Sequence, residues 1–194
     1  MPTSRTGLDN NTPMGATVVA GGATFRIWAP AAQQAFVLTG EALRAADQSG
    51  FSPVPGDAMF PVGGGHWAAF VPGLDTSAPY RFWIVGSGST GLKRDPHARE
   101  LSTQPAYPDC DCLVNDPGSY PWHDAGFRPP DFRDLVLYQL HVGVFYAVDG
   151  QGRDKRRRIA KFLDLLDRVD YLRTLGVNGI QLLPIQELDR KSVV

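Results

Sequence analysis

The last third of the chain carries a strand, helix and strand pattern that few folds can accommodate. The run LVLYQLHV at residues 135–142 is almost wholly apolar, as is typical of a strand buried on both faces. NGIQLLPI at residues 178–185 predicts a second buried strand. Two such strands joined by a helix form a βαβ unit, in which the strands pair in parallel. One such unit is not a domain, because its strands need helices on both faces or closure into a barrel.

The segment between these strands predicts one amphipathic helix. Asp164 and Arg168 add a supporting i,i+4 pair. Gly176 follows the last apolar position, where a left-handed glycine commonly ends a helix. The apolar residues at helical spacing are Ile159, Phe162, Leu163, Leu166, Val169, Leu172 and Leu175.

The first half of the chain instead shows short alternating strands separated by turn signals. In ATFRIWA, Phe25 and Ile27 face one way, whereas Arg26 and Trp28 face the other. AFVLTG and HWAAFVPG continue the series. Together these strands predict a small β-sandwich. In PYRFWIVG, one face carries Tyr80, Phe82 and Ile84, and the other carries Arg81, Trp83 and Val85.

The stretch from Gly86 to Arg133 is rich in Pro, Asp and Gly and keeps no regular period. GSGSTG at residues 86–91 matches GxGxxG, but no helix opens after it, so a hairpin turn is the better interpretation. Apolar anchors predict a connector folded against its neighbours, since a flexible linker would not carry them. These anchors are Leu101, Tyr107, Leu113, Trp122 and Phe127.

Charge and hydropathy limit the partners of the chain. With 19 basic and 20 acidic residues, it lacks the basic surface of a nucleic-acid binder. The basic run at residues 155–158 is interpreted as a solvated face. The N-terminus does not read as a signal peptide, and no apolar run is long enough to span a membrane. We therefore expect no nucleic-acid or membrane partner.

The two cysteines, Cys110 and Cys112, are too close in sequence for an unstrained disulfide. They predict free thiols in a reducing cytoplasm. Further ligands at metal-binding spacing are not evident, and the chain lacks a phosphate loop. We accordingly expect no metal and no cofactor.

Few side chains qualify as candidates for catalysis. His141 follows a buried strand, where barrel enzymes place functional groups, but a histidine satisfied beneath the loop is an equal alternative. Glu187 is the one carboxylate after Arg133 placed near the C-terminal end of a strand. A single carboxylate cannot act as both acid and nucleophile in glycoside chemistry.

DLVLYQLHVGVFY and FLDLLDRVDYLRTLGVNGIQLLPIQE resemble the first strand, first helix and second strand of the α-amylase family, glycoside hydrolase family 13. ATFRIWAP, GGHWAAFVPGL and APYRFWIVG resemble the β-sandwich that precedes the barrel in some members, the isoamylase N-terminal or family 48 carbohydrate-binding module. RDPHAREL and YPWHDAGFRPP resemble the connector between the two. The resemblance covers residues 15–187.

This resemblance implies an all-β immunoglobulin-like sandwich followed by the strand–helix–strand start of an incomplete (β/α)8 TIM barrel. The N-terminus over residues 1–14 is expected to be disordered or loosely held. We place the sandwich at residues 15–90, an irregular connector at 91–133 and the start of the barrel at 134–194. Because a barrel needs ~250 residues, the leading interpretation is a truncated or frame-shifted reading of a longer gene.

The family's nucleophile lies on the fourth strand of the barrel, its acid/base on the fifth and a third carboxylate after the seventh. None of these positions has a match in this sequence, so no catalytic residue is assigned and we expect the chain alone to be inactive. We also expect a poorly ordered C-terminal third that self-associates through exposed barrel strands.

For the full-length relative, the resemblance implies an enzyme acting on an α-glucan such as glycogen, starch or maltooligosaccharide, with branching-type activity favoured. Debranching enzyme, α-amylase and maltooligosyltrehalose trehalohydrolase are alternatives within the family. A stand-alone glycan-binding or regulatory module is the alternative from another class. Assembly with a separate chain that completes the barrel is a third hypothesis.

Arg81 and Trp83 are the candidate glycan-binding residues. Arg81 resembles the basic position of starch-binding modules of this type, and Trp83 shares its face. Leu92 stands where one stacking tryptophan is found in those modules, so we expect weak glycan binding at most. The favoured alternative is that both residues pack against the barrel.

Overall fold

A computed structural model of the chain describes residues 2–105, 108–145 and 160–185. The chain divides into two units, Met1–Trp122 and His123–Val194. Tyr107, Ile159, Glu187 and the basic run at residues 155–158 lie outside the described residues.

The first unit is a sandwich of two antiparallel sheets, as the alternating segments predict. Its strands are β1 (Gly15–Val19), β2 (Gly22–Trp28), β3 (Ala32–Thr39), β4 (Phe60–Gly63), β5 (His66–Pro72), β6 (Pro79–Gly86), β7 (Thr90–Lys93), β8 (Glu100–Leu101) and β9 (Cys112–Leu113), and helix α1 (Gly40–Ala45) follows β3. The first sheet has the order β1-β2-β5-β4. The second has the order β3-β6-β9-β8, and β7 also pairs with β6.

Alternation along the strands decides which side chains fill the space between the sheets. Phe25 on β2 and both Tyr80 and Phe82 on β6 are fully buried there. The Phe25 ring lies edge-on to Tyr80 at 5.0 Å and to Phe82 at 6.5 Å between centroids. Such pairs add about 0.5–1.5 kcal/mol beyond the area they bury. The facing predicted for ATFRIWA and PYRFWIVG is therefore confirmed.

The second sheet extends beyond the limit of residue 90 that the sequence predicts. That residue begins β7, and both β8 and β9 lie within the segment expected to be an irregular connector. GSGSTG is the turn between β6 and β7, so the hairpin interpretation is confirmed. Pairing with β6 orders β7 and β9, and β8 pairs with β9, although their own sequence carries no strand period.

Two of the predicted connector anchors do not reach a core. Leu101 packs against the sandwich core, as expected. Trp122 and Phe127, however, are 70% and 69% exposed, so their prediction as anchors is wrong. The Trp122 ring instead packs edge-on to Tyr120 at 4.8 Å, and Tyr120 is itself 60% exposed.

The N-terminal segment is hydrogen-bonded to the first sheet. Ser4 and Phe70 exchange two backbone hydrogen bonds of 2.9 Å. Arg26 donates from Nη1 to the carbonyl oxygen of Thr12 at 2.7 Å. The expectation of a disordered or loosely held segment at residues 1–14 is therefore corrected for its described residues, 2–14. This segment has no periodic sequence pattern. Its backbone carbonyls nevertheless accept hydrogen bonds from Arg26 on the outer face of the sheet.

The second unit contains the predicted parallel strand pair. Strands β10 (Leu137–Leu140) and β11 (Gly179–Leu182) pair in parallel. The Asn178 side chain, just before β11, is hydrogen-bonded to the segment just before β10. Its Nδ2 donates to the Asp134 carbonyl at 2.8 Å, and its Oδ1 accepts from the Val136 amide at 2.7 Å. The predicted parallel pair is thus joined at its start by the side chain of Asn178.

The single helix predicted between these strands is broken. After α2 (Val142–Phe145), the described chain forms α3 (Phe162–Leu166) and α4 (Val169–Thr174). The chain tightens between α3 and α4, because the Arg168 amide donates to the carbonyl of Leu165, three residues back, at 2.9 Å. Gly176 has a φ of 80° and follows α4, as predicted for its stop. None of the helices in the described ranges is long and apolar enough to cross a bilayer.

Among the described residues of the second unit, most apolar side chains are exposed. Leu140 and Leu172 are buried. Exposing a large apolar side chain forfeits about 1.5–3 kcal/mol relative to burying it. The unit therefore leaves much of its apolar surface uncovered. The exposed fractions include Phe162 51%, Leu163 75%, Leu166 62%, Leu175 51%, Leu137 57% and Ile180 43%.

Candidate glycan-binding site

Arg81 and Trp83 lie on the outer face of the second sheet. Side chains alternate along β6, so these two point away from the core to which Tyr80 and Phe82 contribute. Trp83 lies opposite Leu92 on the neighbouring strand β7. The shared face predicted for the two candidate residues is thus present.

A second, smaller core covers part of this face. Gly40, with a φ of 52°, lets the chain turn from β3 into α1, which lays Leu43 over the sheet. Phe51 and Leu92 complete the cluster around Trp83. Its buried members are Phe36, Leu38, Leu43 and Ala46.

Trp83 is half-buried in this cluster. The Phe51 ring lies edge-on to it, with 5.2 Å between the centroids. Stacking on a sugar needs an open aromatic face, and here the protein occupies part of the indole surface. Phe51 is the first aromatic residue after β3, but nothing in the sequence shows that the loop returns it to Trp83.

Arg81 pairs with an acidic residue of the same unit. Its Nε lies 3.6 Å from Oδ1 of Asp111, and the two side chains are 12% and 22% exposed. The distance is too long for a hydrogen bond, so the buried Nε has an ionic partner but no acceptor. Burial raises the pKa of Asp111 above its usual value, and the Arg81 guanidinium opposes that rise. Part of the Arg81 charge is therefore already offset within the protein.

The other two candidate residues do not join this site in the described chain. His141 lies in the second unit and is exposed; its Nδ1 accepts a 3.0 Å hydrogen bond from the Gly143 amide. The ring thereby caps the start of α2. Glu187 lies outside the described residues.

A buried polar network in the sandwich has no counterpart among the predicted site residues. Asp95, 4% exposed, accepts from Tyr80 Oη at 2.6 Å and from the His97 amide at 2.8 Å. Its own amide donates to Cys112 Sγ at 3.3 Å. RDPHAREL supplies this aspartate, but a single acidic residue outside a periodic strand gives no sequence signal of burial. The network is closed to ligands and is structural.

Both cysteines are free, as predicted, and the structure buries both. Burial raises the pKa of Cys112 to about 11, so its thiol stays protonated at neutral pH. Within the part of the chain that the structure describes, no group of three or more His, Cys, Asp or Glu side chains could hold a metal ion.

Residues 13–98 match the model of carbohydrate-binding module 48, the isoamylase N-terminal domain. The matched segment begins near β1 and includes the whole of β7. It therefore contains both Arg81 and Trp83.

The chain is similar over most of its length to glucan-branching enzymes. It is 30% identical to the 1,4-alpha-glucan branching enzyme GlgB of Oleidesulfovibrio alaskensis over 139 residues, 66% of this chain and 21% of that enzyme. The Bordetella pertussis enzyme of the same name is 28% identical over 171 residues, 84% of this chain and 21% of the relative. The chain thus spans about a fifth of the length of the curated relatives it matches.

Solved structures share the fold. A putative alpha amylase from Salmonella typhimurium superposes with a TM-score of 0.66 at 24% identity, covering 91% of this chain and 25% of that one. A pullulanase from Bacillus acidopullulyticus gives a TM-score of 0.64 at 20% identity, covering 93% and 23%. At these identities the likeness concerns the fold alone.

Proposed function

We propose that this chain, which carries a carbohydrate-binding module 48 domain at residues 13–98 and is homologous to the N-terminal region of branching enzymes, serves an α-glucan-active enzyme of the α-amylase family. One observation carries the proposal: similarity to branching enzymes runs through the sandwich into the parallel strand pair, over 84% of the chain. A binding module alone would not require the second unit.

The reaction we propose for the whole enzyme is branching of an α-1,4-glucan such as glycogen, and a reducing cytoplasm would suit its two free thiols. The strand pair β10–β11 would be the start of its (β/α)8 barrel. Glycoside transfer of this kind needs two carboxylates at one cleft. Because the family's catalytic positions have no match here, the chain contributes glucan binding and part of the scaffold, and not the chemistry.

Electrophoresis through native gels tests glucan recognition at the weak affinity we expect. Glycogen in the gel should retard the chain relative to a plain gel, whereas dextran, an α-1,6-glucan, should not. Equal mobility in glycogen and plain gels would contradict the proposed recognition.

Activity measurements test whether the chain lacks catalytic activity of its own. The purified chain, incubated with amylose, should change neither the iodine absorbance nor the number of reducing ends. Turnover above that of a heat-inactivated sample would show that the chemistry resides in this chain after all.

A stand-alone glycan-binding module is the second candidate. The matched module alone spans residues 13–98 and forms nearly all strands of the sandwich. Calorimetric titration with maltoheptaose separates the two functions. Micromolar affinity that is lost in Trp83→Ala would favour the module, since a half-buried Trp83 is expected to support weak binding only.

A further inference from the structure

Trp28 is an exposed aromatic residue on the first sheet, the sheet opposite Trp83. It is 60% exposed, although its neighbour Ile27 is buried in the core. The orientation of its indole is fixed, because Nε1 donates a 3.2 Å hydrogen bond to the carbonyl of Gly64. One tryptophan is thus held in a fixed orientation with most of its surface open.

The turn between β4 and β5 supports this orientation. Gly63, Gly64 and Gly65 all have positive φ, of 92°, 58° and 78°. The Ala29 amide donates to the Gly65 carbonyl at 2.9 Å, and the Trp67 indole donates to the Ala29 carbonyl at 3.2 Å. The segment that carries Trp28 and the turn that accepts from it are therefore bonded together. A platform ordered in advance has little conformational entropy to lose on binding.

His66 supplies a polar group beside the platform. It lies directly opposite Trp28 on the neighbouring strand, on the same face of the sheet. Its Nδ1 lies 3.3 Å from the carbonyl of Gly63. A carbonyl only accepts, so Nδ1 is the donor, which leaves Nε2 of the neutral ring as an acceptor.

We propose that Trp28 and His66 form a second glucan contact, on the opposite sheet from Arg81 and Trp83. One pyranose ring stacks its C–H face on the exposed indole, and a hydroxyl of that sugar donates to His66 Nε2. This inference rests on the proposed α-glucan function and adds a second binding position, on the first sheet.

The chemistry of the surroundings favours a neutral sugar over other ligands. The basic group next along β2, Arg26, already donates to the carbonyls of Asn10 and Thr12, at 2.9 and 2.7 Å. A single aromatic ring with a polar neighbour fits one sugar, whereas stable protein interfaces need roughly 800 Å² per partner. A fixed aromatic face with an acceptor at its side is what a pyranose ring requires.

Two-dimensional NMR of the ¹⁵N-labelled full chain tests the site directly. The chain has four tryptophans, and their indole N–H signals are assigned with single Trp→Phe variants. Addition of maltoheptaose should shift the Trp28 signal. The dissociation constant is then fitted from backbone amides of β5, which remain visible in every variant.

Variants decide whether Trp28 carries the contact. Trp28→Ala should weaken binding by about two- to thirteenfold, and Trp28→Tyr should retain most of it, because stacking of one ring is worth ~0.5–1.5 kcal/mol. His66→Ala should weaken binding without loss of fold. Trp122→Ala is the matched control, since Trp122 is comparably exposed at 70%. It should leave the dissociation constant unchanged.

Three results would overturn the inference. A Trp83 shift with an unmoved Trp28 would place the glucan on the second sheet only and leave the proposed function intact. An equal loss in Trp28→Ala and Trp122→Ala would show non-specific contact. No shift at any tryptophan, combined with no retardation by glycogen, would remove the proposed function as well.

Discussion

Asp95 makes the stability of the sandwich depend on pH. Burial raises the pKa of this carboxyl above its ordinary value and outweighs the opposing hydrogen bonds from Tyr80 and the His97 amide. A group whose pKa is raised on folding stabilises most below its unfolded pKa, and this contribution disappears as the pH rises through the folded value.

The free energy of unfolding should therefore contain a contribution that falls as the pH is raised from about 4 through the raised pKa of folded Asp95. Asp95→Asn cannot ionise, so its profile should be flatter in this window. Urea unfolding at several pH values measures both profiles. The pKa values of Asp57 and Asp111 are raised as well, so these two groups contribute to the slope that remains in the variant. Identical slopes in the two proteins would contradict this account.

Tyr80 is the side-chain donor in the same network. Tyr80→Phe keeps the buried ring and removes only the hydroxyl that donates to Asp95 at 2.6 Å. Leaving a buried acceptor without this donor should cost about 1–3 kcal/mol of unfolding free energy. Tyr120→Phe provides the control, because Tyr120 is 60% exposed and should change stability little. Chemical denaturation followed by circular dichroism compares the two, and a neutral Tyr80→Phe would argue against the network.

At the scale of elements, the turn between β4 and β5 depends on having no side chain at one position. Gly65 has a φ of 78°, and a Cβ there would lie 2.7 Å from Pro30 Cβ. Gly21 has a similar φ of 80°, but a Cβ there would meet nothing within 4 Å. Comparing alanine substitutions at the two glycines therefore distinguishes the cost of backbone strain from the cost of a steric clash with Pro30.

Gly21→Ala should cost roughly 1–2 kcal/mol from the left-handed conformation alone. Gly65→Ala should cost more, because the turn must also move away from Pro30. It should displace the Trp28 indole signal in the NMR spectrum, which Gly21→Ala should leave in place. Equal melting curves for the two variants would show that the contact with Pro30 is easily relieved.

In the described helices of the second unit, one side chain is buried and many are exposed. Leu172 on α4 is 3% exposed, whereas Leu163 on α3 is 75% exposed. Leu172→Ala should cost about 2–5 kcal/mol and speed hydrogen exchange of the β10 and β11 amides. Leu163→Ala should change exchange little, because surface substitutions are usually within about 0.5 kcal/mol. Equal exchange in the two variants would mean that Leu172 does not hold α4 to the strands.

At the scale of the whole molecule, the uneven distribution of exposed apolar surface predicts self-association through the second unit. Contiguous exposed apolar side chains favour contact between copies. Sedimentation should show an average mass that rises with concentration. The double variant Leu163→Glu, Leu166→Glu should reduce this rise, since the two side chains are 75% and 62% exposed.

A matched substitution in the sandwich checks that the effect is local. Val54→Glu changes a residue that is 57% exposed in the first unit and should leave the association unchanged. A monodisperse monomer at all concentrations, with strong exchange protection across β10 and β11, would refute the prediction and show that the second unit is adequately covered.

The sequence alone determined the features that follow from a regular pattern of apolar residues. Period-two alternation set the inward faces of β2 and β6, and the continuous apolar runs set β10 and β11 as a parallel pair. The resemblance to the carbohydrate-binding module rested on the sandwich segments, and the match at residues 13–98 confirms that part of it. The inward faces and the strand positions are local, because each depends on residues within one element. The parallel pairing followed from the order strand, helix, strand.

Tertiary structure alone decided what distant residues do together. Phe51 returns to Trp83, Asp111 pairs with Arg81, and Gly64 orients Trp28, each across a separation in sequence with no periodic trace. The same holds for the N-terminal segment on the first sheet and for β8 and β9, which strand pairing orders despite their irregular sequence. Such contacts follow from how the chain closes on itself, and no window of neighbouring residues contains that information.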